Sequence, residues 1–173
     1  MFSRYNCFVI WFNCKSSTLI SNKQQLEVVS YSITEDYGWF FNRDDKTYRG
    51  IRKGGPAIGF EESLKLIEAT FKEHGPFDGI MGFSQGGCFV GLLCSLQQRN
   101  RESSNLPRVY ENTCDACISV LNFKFNFAVI FSGFKSNCLP HMKYYSDIVT
   151  LPSLFVYGKK DNVIPFGEYA AGG

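Results

Sequence analysis

Two segments of the chain show the apolar spacing that is typical of helices. Residues 61–74 place three apolar side chains on one helical face: Leu64, Ile67 and Phe71. Gly75-Pro76 follows this segment directly and predicts that the helix ends there. Residues 86–98 form a second, largely apolar segment that predicts another helix. The polar residues 99–105 that come next predict a surface loop.

Short apolar runs predict the strands. Residues 77–81, 127–131 and 154–157 have no polar alternation, which indicates strands buried on both faces, as in parallel sheets. Residues 8–12 form an earlier apolar run, and residues 26–33 are rich in β-branched side chains. A polar stretch separates these two runs. The alternation of strands and helices predicts an α/β fold with a mostly parallel sheet flanked by helices.

Composition narrows the class of protein. The 173 residues fit a single domain, residues 1–173, and 45% hydrophobic with 20% charged residues is ordinary globular usage. The net charge of +2 is too small to predict the basic surface that nucleic-acid binding requires. No apolar run is long enough to span a bilayer. The seven cysteines, an odd number, favour reduced thiols and a cytoplasmic location, with the nucleus as a second one.

The strongest chemical motif is G-x-S-x-G at residues 82–86, between an apolar strand and an apolar helix. Such a tight turn forces Ser84 into a strained backbone conformation and exposes its hydroxyl at the carboxyl end of the sheet. Gly82 and Gly86 are needed because side chains there would clash where strand and helix meet. The backbone N–H of Gln85 is placed to donate to an oxyanion. The alternative is a helix entry at which Ser84 only caps the helix.

Several further segments give the chain a family resemblance. Together they resemble the small serine hydrolases of fungi and animals, a family that includes the ovarian-cancer-associated esterase. The matching segments are residues 38–41, 59–64, 75–86, 132–134, 151–154, 156–158 and 161–165. The resemblance implies an α/β-hydrolase fold that cleaves a small-molecule carboxylic ester with Ser, Asp and His, without metal or cofactor.

By this resemblance Ser84 is the nucleophile and Asp161 is the acid of the triad. Asp161 also lies just after a predicted strand, where an acid would reach a base near Ser84; the alternative is a solvated turn residue. Trp39 and Phe40 would line an apolar acyl pocket, or else they are core aromatics.

Both ends of the chain depart from the family pattern. No histidine follows Asp161, because the two histidines, His74 and His141, precede it. His74 is predicted to act as a cation at the C-terminus of a helix. His141 could replace the missing base only if the usual chain order of Ser, acid and then His does not hold. The first apolar run, residues 8–12, lacks the following His-Gly turn that supplies a second oxyanion donor.

These departures predict a truncated, incomplete domain that lacks a C-terminal strand and helix. We therefore expect poor or absent ester hydrolysis, low stability and association through an exposed edge at residues 154–157. A non-catalytic form that binds ligands or partners is the alternative.

Cysteines offer one competing hypothesis. The spacing C-x2-C-x20-C-x2-H in Cys114, Cys117, Cys138 and His141 permits a zinc knuckle, although it would remove residues 127–131 from the sheet. We therefore expect no metal site.

Overall fold

A computed structural model describes residues 7–10, 17–20, 26–29, 38–48, 54–104 and 122–164. The α-helices and strands in this part of the chain are β1 (Cys7–Ile10), β2 (Ser17–Ile20), β3 (Leu26–Val29), α1 (Phe60–His74), β4 (Gly79–Phe83), α2 (Gln85–Ser104), β5 (Phe127–Phe131) and β6 (Ser153–Val156). A short 3-10 helix, Leu139–Tyr145, lies between β5 and β6.

The strands form one sheet in the order β3-β2-β1-β4-β5-β6. β1, β4, β5 and β6 run parallel, whereas β2 is antiparallel to both of its neighbours. The predicted α/β class with a mostly parallel sheet is confirmed. β2 lies inside the polar stretch after the first apolar run, where the hydrophobic pattern gave no strand signal.

Helix α1 starts one residue before its predicted beginning and ends at His74 as expected. It buries Ile67 and Phe71 and leaves Leu64 half-buried, so the predicted apolar face is the one that meets the core. On the same side, the Ser63 hydroxyl donates to the Trp39 carbonyl at 2.6 Å. This bond fixes the segment around Trp39 to the helix.

Helix α2 is longer than predicted, and the loop expected at residues 99–105 is wrong for residues 99–104. The polar end of the helix is held by contacts from the loop after the 3-10 helix. Gln98 Nε2 donates to the Ile148 carbonyl at 2.9 Å, and Arg99 Nε pairs with the Asp147 carboxylate at 3.4 Å. Such long-range partners do not show in local apolar periodicity.

Aromatic side chains form much of the core. Phe40, Phe60 and Phe89 pack edge to face along one side of α2, with centroids 6.2 Å and 5.7 Å apart for the two pairs that share Phe60. In the part of the chain that the structure describes, no helix has the length and hydropathy needed to cross a bilayer.

Strand β6 is an exposed strand. Its apolar run alone predicted burial on both faces, whereas the expectation of an incomplete domain predicted an exposed edge at residues 154–157. Leu154 is 59% exposed and Phe155 is 55% exposed, so burial on both faces is wrong. The reason is position, because β6 pairs only with β5 and forms an edge of the described sheet. An apolar run can predict that a segment forms a strand, but it does not show whether that strand has a neighbour on each side.

Candidate active site

Ser84 occupies a one-residue turn between β4 and α2. Its φ is +54°, a left-handed value that is uncommon for residues other than glycine and costs roughly 1–3 kcal/mol. The Ser84 N–H donates to the Phe131 carbonyl at 2.9 Å, and its own carbonyl accepts from Cys88 N–H at 3.0 Å. These two bonds anchor the strained residue to β5 on one side and to α2 on the other.

Gly82 explains how strand and helix come so close at this turn. A Cβ added at Gly82 would run into the Gly86 carbonyl and lie 2.8 Å from the Gly87 nitrogen. Backbone atoms of a helix cannot move aside as a flexible side chain can. Glycine is therefore required at position 82 if Ser84 is to keep this geometry.

Gln85 begins α2. Its N–H is therefore one of the first amides of the helix, which have no carbonyl acceptor within the helix. Its side chain is buried and makes two hydrogen bonds to a distant segment. The Trp39 N–H donates to Oε1 at 2.9 Å, and Nε2 donates to the Phe40 carbonyl at 2.7 Å. The start of α2 and the Trp39-Phe40 segment are thereby joined.

Trp39 and Phe40, the predicted pocket residues, both pack in the core. The Trp39 ring stacks on Phe89 with centroids 5.0 Å apart. Phe40 has no exposed surface and meets Tyr48 and His141 edge to face. Their pocket role stays a prediction, and the packing is that of core aromatics.

Asp161 follows β6 and is partly exposed. Its Oδ1 accepts hydrogen bonds from the N–H groups of Val163 and Ile164, both at 2.9 Å. These hydrogen bonds, that of the Ile164 N–H first, hold the pKa of Asp161 below its usual value, because they favour the charged form.

The sheet register brings these residues to one edge. Phe83 at the end of β4 pairs with Phe131 of β5, and Phe131 pairs with Val156 of β6. Ser84, Ser132 and the loop that carries Asp161 therefore follow the carboxyl ends of three adjacent parallel strands. Open α/β sheets bind their ligands at this edge.

The histidines occupy other environments. His141 is fully buried, 4.2 Å from Phe60 by ring centroids, and its Nδ1 is hydrogen-bonded to the Ser136 hydroxyl at 2.7 Å. Burial lowers the pKa of His141 to about 4, so the ring is neutral at pH 7 and a weak base. His74 lies in the last turn of α1, with Nε2 3.8 Å from the Glu73 carboxylate.

The zinc hypothesis gains no support. Cys114 and Cys117 lie outside the described residues. Residues 13–16, which follow the first apolar run in place of the His-Gly turn, also lie outside them. Within the described ranges, no three metal-binding side chains cluster. Cys88 and Cys94 are buried, and burial raises the pKa of the Cys94 thiol to about 12, so it is unreactive.

Ser132 lies at the same sheet edge, and the sequence reasoning gave it no role there. It has a positive φ of +45° and its N–H donates to the Val156 carbonyl at 2.8 Å. The signal was present, since Ser132-Gly133 directly follows an apolar strand, just as Ser84 does. Unlike Ser84, however, Ser132 does not belong to a known catalytic sequence motif.

Comparison with known proteins gives the family. The model of the family "Serine hydrolase (FSH1)" matches residues 11–170. The chain belongs to this serine hydrolase family. The resemblance seen in the sequence is thereby confirmed, and FSH1 proteins have the α/β-hydrolase type of fold that the sheet shows.

Curated relatives of this FSH1 member are named as esterases. Esterase GA18864 of Drosophila pseudoobscura pseudoobscura is 41% identical over 140 residues, which are 81% of this chain and 42% of the relative. Esterase OVCA2 of Danio rerio is 35% identical over 144 residues, covering 82% and 56%. Esterase OVCA2 of Homo sapiens is 31% identical over 130 residues, covering 75% and 50%. The chain thus spans about half the length of the curated relatives it matches.

Proposed function

We propose that the chain carries the nucleophile and acid of a hydrolase for carboxylic esters, with Ser84 and Asp161 in these roles. One observation supports this most: Ser84 has a left-handed backbone conformation at the same sheet edge that carries Asp161. Strain of this kind persists only where surrounding structure imposes it, and it is common at active sites.

The proposed reaction follows the acyl-transfer pattern. Ser84 Oγ forms a bond to the ester carbonyl carbon while a base takes the hydroxyl proton. The Gln85 N–H stabilises the resulting oxyanion, and its place at the helix N-terminus favours negative charge there. The alcohol then leaves with that proton, and water releases the acid from Ser84. Asp161 orients the base and stabilises its charged form.

Ser84, Gln85 and Asp161 do not include the general base that the proposed reaction needs. Neither histidine of the chain follows Asp161, and His141 is enclosed by Phe40, Phe60 and Tyr144. Without a base, the Ser84 hydroxyl is a weak nucleophile, so we expect this chain to hydrolyse esters poorly.

Chemical rescue tests the assignment. A fluorophosphonate probe is incubated with the chain at rising concentrations of imidazole, which would act as the base in solution. We expect slow labelling that accelerates with imidazole and maps to the Ser84 peptide. Ser84→Ala is the matched control and should abolish it. Labelling that persists in that variant, or that never reaches Ser84, would contradict the proposal.

Fast labelling of Ser84 without imidazole has a separate meaning. It would support the nucleophile but overturn the expected low activity. Turnover of a p-nitrophenyl ester, compared between the chain and Ser84→Ala, measures that activity directly.

A further inference from the structure

We propose that the side chain of Gln85 has a positioning role, because it holds the main-chain N–H of the same residue in the direction that an oxyanion needs. The inference rests on the proposed role of that N–H as the oxyanion donor. The observation that leads to it is the buried side-chain amide of Gln85. It accepts from the Trp39 N–H at 2.9 Å and donates to the Phe40 carbonyl at 2.7 Å.

The first turn of α2 depends on support from outside the helix. The first four N–H groups of an α-helix have no acceptor within it, and helix ends fray. Ser84, directly before Gln85, has a φ of +54° and so does not continue the helical backbone. Helical hydrogen bonding therefore fixes the direction of the Gln85 N–H less firmly than that of the amides further along α2.

The segment that binds the Gln85 side chain is itself held by other parts of the molecule. The Ser63 hydroxyl of α1 donates to the Trp39 carbonyl at 2.6 Å. Phe41 and Ile58 exchange two main-chain hydrogen bonds, of 2.8 Å and 3.0 Å. Because neither contact involves α2, the segment has a position of its own against which the Gln85 side chain can hold the start of the helix.

Gln97 provides an internal comparison on the same helix. It is also buried, the Phe125 N–H donates to its Oε1, and its Nε2 donates to the Phe125 carbonyl, both at 2.9 Å. Its own N–H lies in the interior of α2, where helical hydrogen bonding sets its direction. The same pair of side-chain bonds therefore supports only packing at Gln97, whereas at Gln85 it also fixes an amide that the helix leaves free.

Methionine at each position separates these two consequences. Gln85→Met and Gln97→Met both keep the main-chain N–H, a side chain of similar length and a good helix propensity, but they lose both side-chain hydrogen bonds. Each variant removes the glutamine partner of a buried main-chain N–H and of a buried carbonyl. We therefore expect similar losses of stability in urea denaturation.

The first readout does not depend on any reaction. The mobility of the main-chain N–H at position 85 is measured by ¹⁵N relaxation as an order parameter. We expect it to fall from about 0.85, the value of a rigid backbone, toward about 0.6 in Gln85→Met. Gln97→Met should leave it unchanged. An unaltered order parameter in Gln85→Met would overturn the inference.

The second readout is the imidazole-dependent labelling of Ser84 by the fluorophosphonate, whose phosphoryl oxygen takes the place of the oxyanion. Removing an oxyanion donor costs roughly 100-fold or more, so misplacing one should cost less. We expect the maximal labelling rate to fall about tenfold in Gln85→Met, with the probe concentration at half-maximal rate unchanged. Gln97→Met should label as fast as the unaltered chain. Equal losses in the two variants, or unchanged labelling in Gln85→Met, would overturn the positioning role.

Gln85→Glu keeps the test decisive if Gln85→Met does not fold. A protonated carboxyl group can accept from the Trp39 N–H and donate to the Phe40 carbonyl as the amide does, whereas an ionised one only accepts. Burial raises the pKa of the introduced group. We expect the labelling rate of this variant, relative to the unaltered chain at the same pH, to fall about tenfold between about pH 6 and pH 9. A ratio that stays constant over this range would contradict the inference.

Failure of the proposed function would give a different result. If Ser84 of the unaltered chain is never labelled, the assigned chemistry fails. The order parameter at position 85 then still decides whether the Gln85 side chain fixes its main-chain N–H.

Discussion

Strands β4 and β6 belong to the same parallel sheet and have similar apolar sequences, yet their surroundings differ. β4 lies between β1 and β5, and Ile80 on it has no exposed surface. Among the described strands, β6 pairs only with β5, and Leu154 on it is 59% exposed. The candidate site joins both, because Ser84 follows the interior strand and Asp161 follows the edge strand. The proposed nucleophile thus follows a closely packed strand, and the proposed acid is held by hydrogen bonds within its own loop.

The effect of a glycine substitution on stability should differ most between the carboxyl ends of β4 and β6. Gly82→Ala would push a Cβ into the Gly86 carbonyl, and we expect it to lower the free energy of unfolding by more than about 4 kcal/mol. Gly158→Ala, after β6, meets Asp161 Cβ at an ordinary 3.6 Å and should change stability by less than about 0.5 kcal/mol. Urea denaturation measures both. Similar losses in the two variants would show that the β4 end is no more constrained than the β6 end.

Core truncation tests burial within the strands. Ile80→Ala removes a fully buried side chain and should cost about 3 kcal/mol, from lost burial and the cavity left behind. Leu154→Ala removes a side chain that is 59% exposed and should cost less than about 1 kcal/mol. The comparison uses the same denaturation assay. Equal costs would mean that β6 is covered in solution.

Acid should affect the interior before the edge. The pKa of His141 is about 4 in the folded protein and near the ordinary 6.5 of histidine in the unfolded chain, so the unfolded state binds the proton more readily. Stability should therefore fall by roughly 2 to 3 kcal/mol as the pH drops from 6.5 to 4. The Asp161 contribution is lost only below its ordinary pKa of 3.8. Urea denaturation across this pH range, with His141→Phe to flatten the upper step and His74→Gln as control, checks the assignment. A step that survives His141→Phe would contradict it.

The smallest effect on stability should come from charging the exposed edge. Phe155 is 55% exposed on β6, so Phe155→Lys should leave the free energy of unfolding within about 0.5 kcal/mol. It should nevertheless reduce self-association, because a lysine on an edge strand discourages pairing with another edge. Sedimentation velocity at increasing protein concentration measures this. A monodisperse monomer before the substitution would refute the expected association.

Local sequence signals predicted the interior well. The apolar run of β5, the amphipathic face of α1 and the G-x-S-x-G turn at Ser84 all depend on neighbouring residues, so a linear pattern contains them. Family resemblance favoured Asp161 as an acid, whereas its place after a strand left both an acid and a turn residue as alternatives.

Features that depend on distant partners escaped the sequence. The last turns of α2 form because Arg99 and Gln98 find partners in residues 147–150. The apolar run of β6 could not by itself show its exposure, because exposure depends on the place of the strand in the sheet order. Periodicity over a short window cannot encode contacts at that range.

Gln85 contributes both its main chain and its side chain to the region around Ser84. Its main-chain N–H lies directly after Ser84, while its side-chain amide binds the backbone of Trp39 and Phe40. Displacement of the Trp39-Phe40 backbone would therefore break both hydrogen bonds of the Gln85 side chain, which directly follows Ser84 in the chain. Side-chain substitutions at positions 39 and 40 that keep this backbone in place would preserve the link, because both bonds are made to main-chain atoms.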